Sequence, residues 1–153
     1  MTDDTKTRSL DASELESAVG LWLRLAQQQD LRLFNRAFAA AGVTQLTYSM
    51  LLLIGDKPGC RQTDLSIALR IRQPNLVEPI ESLMSRGLVS RRPDPADRRA
   101  QTLSLTDQGR ALVERLRETH AALIGGYRQK MGPEAYDQLI ELLRRFLGPD
   151  QGA

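Results

Sequence analysis

Between positions 86 and 99 the chain carries five guanidinium groups, Arg86, Arg91, Arg92, Arg98 and Arg99, against two carboxylates, Asp94 and Asp97. The rest of the sequence is close to neutral, and the net charge over all 153 residues is only +2. A cluster of this kind is either a solvated charged turn or a contact for nucleic acid, and composition alone does not separate the two. Other chemistry is poorly provided for. Cys60 is the single cysteine and His120 the single histidine, so an internal disulfide and a structural zinc set are both excluded. One histidine without a serine or cysteine motif supports no nucleophilic triad, and there is no phosphate loop or recognisable carboxylate pair. The expectation is a protein that is not an enzyme and has no cofactor and no metal.

The elements that must position these arginines follow from periodicity. The composition, 41% hydrophobic, 5% aromatic and 26% charged, suits one mainly helical domain with a modest core. Apolar residues recur at Leu15, Val19, Trp22, Leu25 and Ala26, then at Leu33, Phe34, Ala37 and Phe38, which is helical spacing up to a stop at Gly42. Gln27, Gln28, Gln29 and Asp30 interrupt that stripe, so a kink or a change of packing partner is expected there. Thr44 can cap a second helix through Leu46, Met50, Leu53 and Ile54, ending in the turn cluster 55–59. A short third helix covers 62–70 with Leu65, Ala68 and Leu69 inward, and Pro74 is suited to be the first residue of a fourth helix that runs to Arg86 and stops at Gly87.

Two strand-like runs follow, 88–92 and 100–105, joined by a polar, proline-rich loop over 93–99. Thr106 and Asp107 open a fifth helix with Leu112, Leu116, Leu123, Tyr127 and Met131 on one stripe. Gly132 and Pro133 break it, and a sixth helix carries Tyr136, Leu139, Ile140, Leu143, Phe146 and Leu147. Two short helices joined by a tight turn and followed by a hairpin with a basic tip make a winged helix-turn-helix. Its second helix fits the major groove, and its hairpin reaches the neighbouring backbone or minor groove. The fold class is thus mainly α with a small β-hairpin wing, flanked by N- and C-terminal dimerisation helices. Residues 1–11 and 149–153 are tails, 12–148 form one domain, 12–41 and 107–148 supply the dimer, and 44–106 form the DNA-binding lobe.

The run Arg86-Gly87-Leu88-Val89-Ser90-Arg91-Arg92-Pro93-Asp94-Pro95-Ala96-Asp97-Arg98-Arg99, with Leu103-Ser104-Leu105-Thr106-Asp107-Gln108-Gly109 after it, closely resembles the wing and the start of helix five in regulators of the MarR family. The likeness extends over roughly residues 12–148. It implies that Asp97 steadies the wing loop, that Arg99 enters the minor groove, and that Arg98 lies on phosphate. Arg72, Gln73 and Asn75 occupy the leading turn that faces base edges in such proteins. Asparagine and glutamine pair bidentately with adenine and arginine with guanine, each for about 1–3 kcal/mol of discrimination. Arg61, Gln62 and Thr63 at the start of helix three, with Arg91 and Arg92 in the wing, complete the implied DNA-contact set. The resemblance also implies an effector pocket, for which Trp22, Phe34, Phe38, Tyr48 and Met50 are candidates, although core packing explains the same residues equally well.

Some positions depart from the family pattern. Glu78 falls where a neutral or basic residue is expected and is read as solvated or paired with Arg72 or Ser82. Pro79 lies inside the reading helix, where it removes one hydrogen bond and can kink the axis. Arg61 stands where serine or threonine usually caps helix three, which weakens the cap and offers a phosphate contact. Cys60 is expected to be an inert buried thiol rather than a redox sensor, and His120 an exposed side chain. Residues 1–15 carry Asp3, Asp4, Asp11 and Glu14 and no apolar run, and no later stretch is long enough to span a membrane, so a cytoplasmic location is expected. Helices one, five and six carry more apolar stripe than a chain of this size can cover alone, which implies a homodimer. The function implied is a repressor released from double-stranded DNA by a small aromatic or lipophilic effector. The alternative is a dimeric winged-helix scaffold that binds protein, for which Glu78 and Pro79 speak.

Overall fold

The structure is a computed structural model, and it describes residues 16–97 and 99–148. The expected tails at 1–11 and 149–153, the helix start before residue 16, and Arg98 lie outside the described residues. The described residues fall into two compact units that part between Leu33 and Phe34.

Helix α1 spans Val19–Phe38 and is continuous through Gln27–Asp30, where a kink or a change of packing partner was expected. Glutamine is a good helix former, so a polar gap in the stripe removes packing without breaking the backbone. Within residues 16–33, Trp22 Nε1 donates to the Glu16 carbonyl at 2.7 Å and Arg32 donates to Gln29 at 2.7 Å.

In the second unit a 3₁₀ turn, Ala39–Ala41, ends at Gly42, whose φ of 59° turns the chain left-handed. Thr44 then caps helix α2, Gln45–Asp56: its hydroxyl accepts from the Thr47 amide, and Thr47 Oγ1 accepts from the Thr44 amide at 2.9 Å. Helix α2 runs through Gly55 and Asp56 rather than stopping at the turn cluster. Helix α3 is Gln62–Leu69, and helix α4 is Pro74–Ser85, continuous through Pro79. Proline supplies no amide hydrogen, so the Asn75 carbonyl lacks its usual helix bond there.

Strand β1, Cys60–Arg61, was not foreseen in the sequence. It pairs antiparallel with β3, Gln101–Leu105, which also pairs with β2, Val89–Pro93, in the order β1-β3-β2. Two residues are too few to show a period of two, so nothing local announces β1. Helix α5, Asp107–Met131, and helix α6, Pro133–Leu147, complete the chain, with the break at Gly132 where it was expected.

The core joins Phe34, Phe38 and Tyr48 to Leu51 and Ile54 of α2, Leu76, Ile80 and Leu83 of α4, and Leu103 and Leu105 of β3. On α3 only Leu65 is fully buried; Leu69 is half-buried and Ala68 faces solvent, contrary to the sequence reading. Helix α5 contributes Leu112, Val113 and Leu116, after which no residue of α5 or α6 is fully buried. Among the described residues no single helix is long and apolar enough to cross a membrane.

Candidate nucleic-acid interface

The turn that delivers α4 into the wing is a Schellman closure. Gly87, at φ 68°, gives its amide to the Met84 carbonyl at 2.9 Å, and Leu88 gives its amide to Leu83 at 3.0 Å. The turn that delivers α3 into α4 has the same pattern: Arg70 bonds to Ile67 and Ile71 bonds to Ser66, at 3.2 and 3.1 Å. There the left-handed residue is Arg70, at φ 53°, the one described non-glycine residue with positive φ. An L side chain pays roughly 1–2 kcal/mol for that conformation.

The wing loop is folded by its two aspartates. Asp94 Oδ1 accepts from the Ala96 amide at 2.8 Å, and Asp97 Oδ1 accepts from the Arg99 amide at 3.0 Å. Backbone bonds from Asp94 to Ala100 and from Ala100 to Asp97, both 2.9 Å, close the turn. The remaining oxygen of Asp94 reaches out of the loop and accepts from Arg61 Nε at 2.8 Å and Nη2 at 2.5 Å. The Ala96 amide and the Arg61 guanidinium together hold the Asp94 carboxyl below its ordinary range, and Asp94 in turn raises Arg61. Asp94 was not among the site residues expected from sequence; the short spacing Asp94-Pro95-Ala96, typical of an aspartate turn, is the signal that could have marked it.

The same corner reaches α4. Gln62 Nε2 donates to the Gln73 carbonyl at 2.9 Å, so consecutive residues of one segment hold the wing loop on one side and the first turn of α4 on the other. Arg72, Gln73, Asn75 and Thr63 are all exposed around this corner. Arg61 has no side-chain cap to give α3, as expected, but its amide donates to Asp64 at 2.8 Å and its guanidinium is occupied by Asp94. The phosphate contact expected of Arg61 therefore competes with an ion pair already made.

The arginine cluster separates into different tasks. Arg86 donates to the carbonyls of Gly42 and Ala41, both at 2.8 Å, and so pins the turn after α1. Arg91 is opposite Leu103 on the inward face of the hairpin and is held by Glu81 of α4 at 2.9 Å. Arg92, one residue on, is exposed, because successive strand side chains alternate between faces. Arg99 is exposed at the loop. Glu78 is exposed and, among the described residues, pairs with neither Arg72 nor Ser82.

Of the five residues expected to line a pocket, Phe34, Phe38 and Tyr48 meet in one aromatic cluster. Phe34 and Phe38 stack at 4.0 Å with Tyr48 tilted against them, and His120, which is half-buried rather than exposed, lies 5.1 Å from Tyr48. Burial pushes the Tyr48 hydroxyl upward. Met50 is sealed in the core, and Trp22, 55% exposed, belongs to the other compact unit. Of the five, Phe38 lines a cavity of about 200 Å³, with Ala37, Ala41, Leu112, Arg115 and Thr119 among its walls. A second crevice of about 260 Å³ lies between α2 and α3, lined by Leu53, Leu65 and Ile67 and by the buried thiol of Cys60, which desolvation pushes up. A raised thiol carries little thiolate, in keeping with an inert cysteine.

Comparison with known proteins agrees with this architecture. The family model for MarR regulators matches residues 41–100, from the turn after α1 to the end of the wing loop. The chain is 29% identical over 133 residues to a putative transcriptional regulatory protein for the hcr operon of Thauera aromatica, covering 86% of this chain and 80% of that protein. It is similar to the transcriptional repressor CouR bound to a 23-mer DNA duplex, at a TM-score of 0.88 and 32% identity, covering 92% of this chain and 99% of that one. It is also similar to Bordetella bronchiseptica BpsR, in a structure describing regulation of its DNA binding by 6-hydroxynicotinic acid, at a TM-score of 0.80 and 30% identity, covering 86% and 94%. With a winged helix-turn-helix at its centre and regulators rather than enzymes as its relatives, the chain belongs to the MarR family of transcription regulators.

Proposed function

We propose that this chain is a repressor that binds a near-palindromic DNA site as a homodimer, each protomer placing α4 in the major groove and its wing on the flanking backbone and minor groove. The observation that carries the reading is the corner at Arg61 and Gln62, which ties the wing loop to the first turn of α4. Segments anchored to adjacent residues can meet one duplex. In this reading Arg72, Gln73 and Asn75 face base edges, Arg92, Arg98 and Arg99 serve backbone and minor groove, and Asp97 keeps the loop folded. Gln62 and Thr63 lie beside phosphate. Arg61 and Arg91 act mainly as braces, since each already holds a carboxylate.

The dimer rests on residues 12–41 and 107–148, with 44–106 as the DNA-binding lobe. Leu139, Leu142, Phe146 and Leu147 of α6 are all exposed, which is costly for a chain that remains alone in water. Twofold pairing sets the two reading helices about 34 Å apart, one turn of DNA. The protein acts in the cytoplasm, and its effector is a small aromatic acid or its thioester. CouR is described bound to p-coumaroyl-CoA as well as to DNA, and BpsR as regulated by 6-hydroxynicotinic acid. The cavity beside Phe38 offers apolar walls with Arg115 and Thr119 for such a ligand. Filling it would change the spacing of the reading helices and lower DNA affinity.

Titration of the purified protein against its own upstream region, with random duplex as competitor, tests the reading. Preference for one pseudo-palindrome, weakened by an aromatic acid, is the expected result. Equal affinity for both duplexes, with no dependence on salt, favours the protein-binding scaffold instead.

A further inference from the structure

Helix α4 presents Asn75, Val77, Glu78, Glu81, Ser82 and Ser85 to solvent, a face with two carboxylates and no cation. A helix entering a groove walled by phosphates is repelled through every uncompensated acid, so each carboxylate on this face needs a reason. Glu81 has one: Arg91 of the wing neutralises it at 2.9 Å. Glu78 has no such partner among the described residues. It lies three positions after Asn75 and four before Ser82, so the three side chains share one face, with Asn75 at its leading end.

An ionised carboxylate only accepts hydrogen bonds. In the major groove the donors are the N4 amino group of cytosine and the N6 amino group of adenine, and adenine sets the N7 acceptor beside its donor. A carboxylate meeting adenine is therefore opposed by N7, while cytosine presents its donor without an adjacent acceptor on the same base. We infer that Glu78 is a specificity-determining residue that accepts a hydrogen bond from the N4 amino group of one cytosine in each half-site. The inference rests on the reading of α4 as the major-groove helix and adds to it the base that this chain's departure from a basic or neutral residue selects. The same charge lowers affinity for sites lacking that cytosine, so Glu78 sharpens selection by weakening every other complex.

The test is selection of sites from random duplexes by the full-length protein and by its Glu78→Gln and Glu78→Ala variants. Fluorescence anisotropy then measures the selected site with the C·G pair kept or replaced by T·A. The wild type is expected to lose about tenfold in affinity on that replacement, and Glu78→Ala to lose almost nothing, while both keep the same preferences elsewhere. Glu78→Gln is expected to shift the position toward adenine. Glu78→Ala should also bind random duplex more tightly than the wild type, because a repelled charge is gone. Unchanged cytosine preference in both variants, or a wild-type site with no cytosine requirement near Asn75, overturns the inference while leaving the DNA-binding reading intact. A wild type that enriches no sequence at all overturns that reading, and this inference with it.

Discussion

Arginines drawn together by sequence do unlike things once folded. Arg99 keeps an exposed guanidinium beside a backbone that Asp97 fixes, so Arg99→Ala is expected to weaken binding to all duplexes alike and to reduce the salt slope by about one. Anisotropy titrations at several salt concentrations measure this; an unchanged slope places Arg99 off the phosphates and the minor groove. Asp94 works differently. Its depressed carboxyl stabilises the loop at pH values above the ordinary aspartate value of about 3.9, and the contribution is lost only as pH falls through the lower folded value. Amide exchange at Ala96 and Ala100 should therefore stay slow relative to intrinsic rates from pH 7 down to about 4 and accelerate below it, while Asp94→Asn loosens the link to Arg61 at every pH. A loop equally protected in Asp94→Asn would contradict the role given to that ion pair. The cluster itself was legible in the sequence, but its division was not. Whether Arg91 or Arg92 points inward depends on the register with β3, and the acceptors of Arg86 lie 44 and 45 residues away.

At the scale of elements, boundaries announced by local chemistry were legible: the Thr44 cap, Pro74 at the head of α4, the glycine stops at 42, 87 and 132, and the Thr106 cap of α5. Features made by distant partners were not, and β1 exists only because β3 offers it an edge. The junction of the wing with α5 depends on an absent side chain. A Cβ on Gly109 would sit 2.0 Å from the Leu88 carbonyl oxygen, the same oxygen that accepts from the Thr106 amide at 3.1 Å. Alanine is the better helix former by about 1 kcal/mol, yet Gly109→Ala is expected to destabilise the fold by about 1–3 kcal/mol, because the clash is with backbone and cannot be relieved by a rotamer. Chemical denaturation decides which effect wins, and a stabilised variant would contradict the close approach.

For the whole molecule, the apolar surface left on α6 sets the expectation. Phe146 is 62% exposed, and in the proposed dimer its burial between two copies would be worth about 1.5–3 kcal/mol per side chain. Phe146→Asp is therefore expected to shift the dimer toward monomer by at least a hundredfold in dissociation constant, read by analytical ultracentrifugation. A monomeric wild type would remove the twofold argument altogether. Inside one protomer, Arg128 pairs with Asp137 and lies 4.9 Å over the Tyr136 ring, clasping α5 to α6 so that the exposed stripe is presented as one surface. Proximity cleavage decides whether α4 and the wing meet one duplex. An iron chelate attached at Arg99→Cys or at Asn75→Cys, with Cys60 too buried to be labelled, is bound to the selected operator and activated. Cleavage is expected from position 75 within each half-site and from position 99 in the minor groove a few base pairs outward. Cleavage from only one of the two positions, or from neither, would contradict a shared duplex.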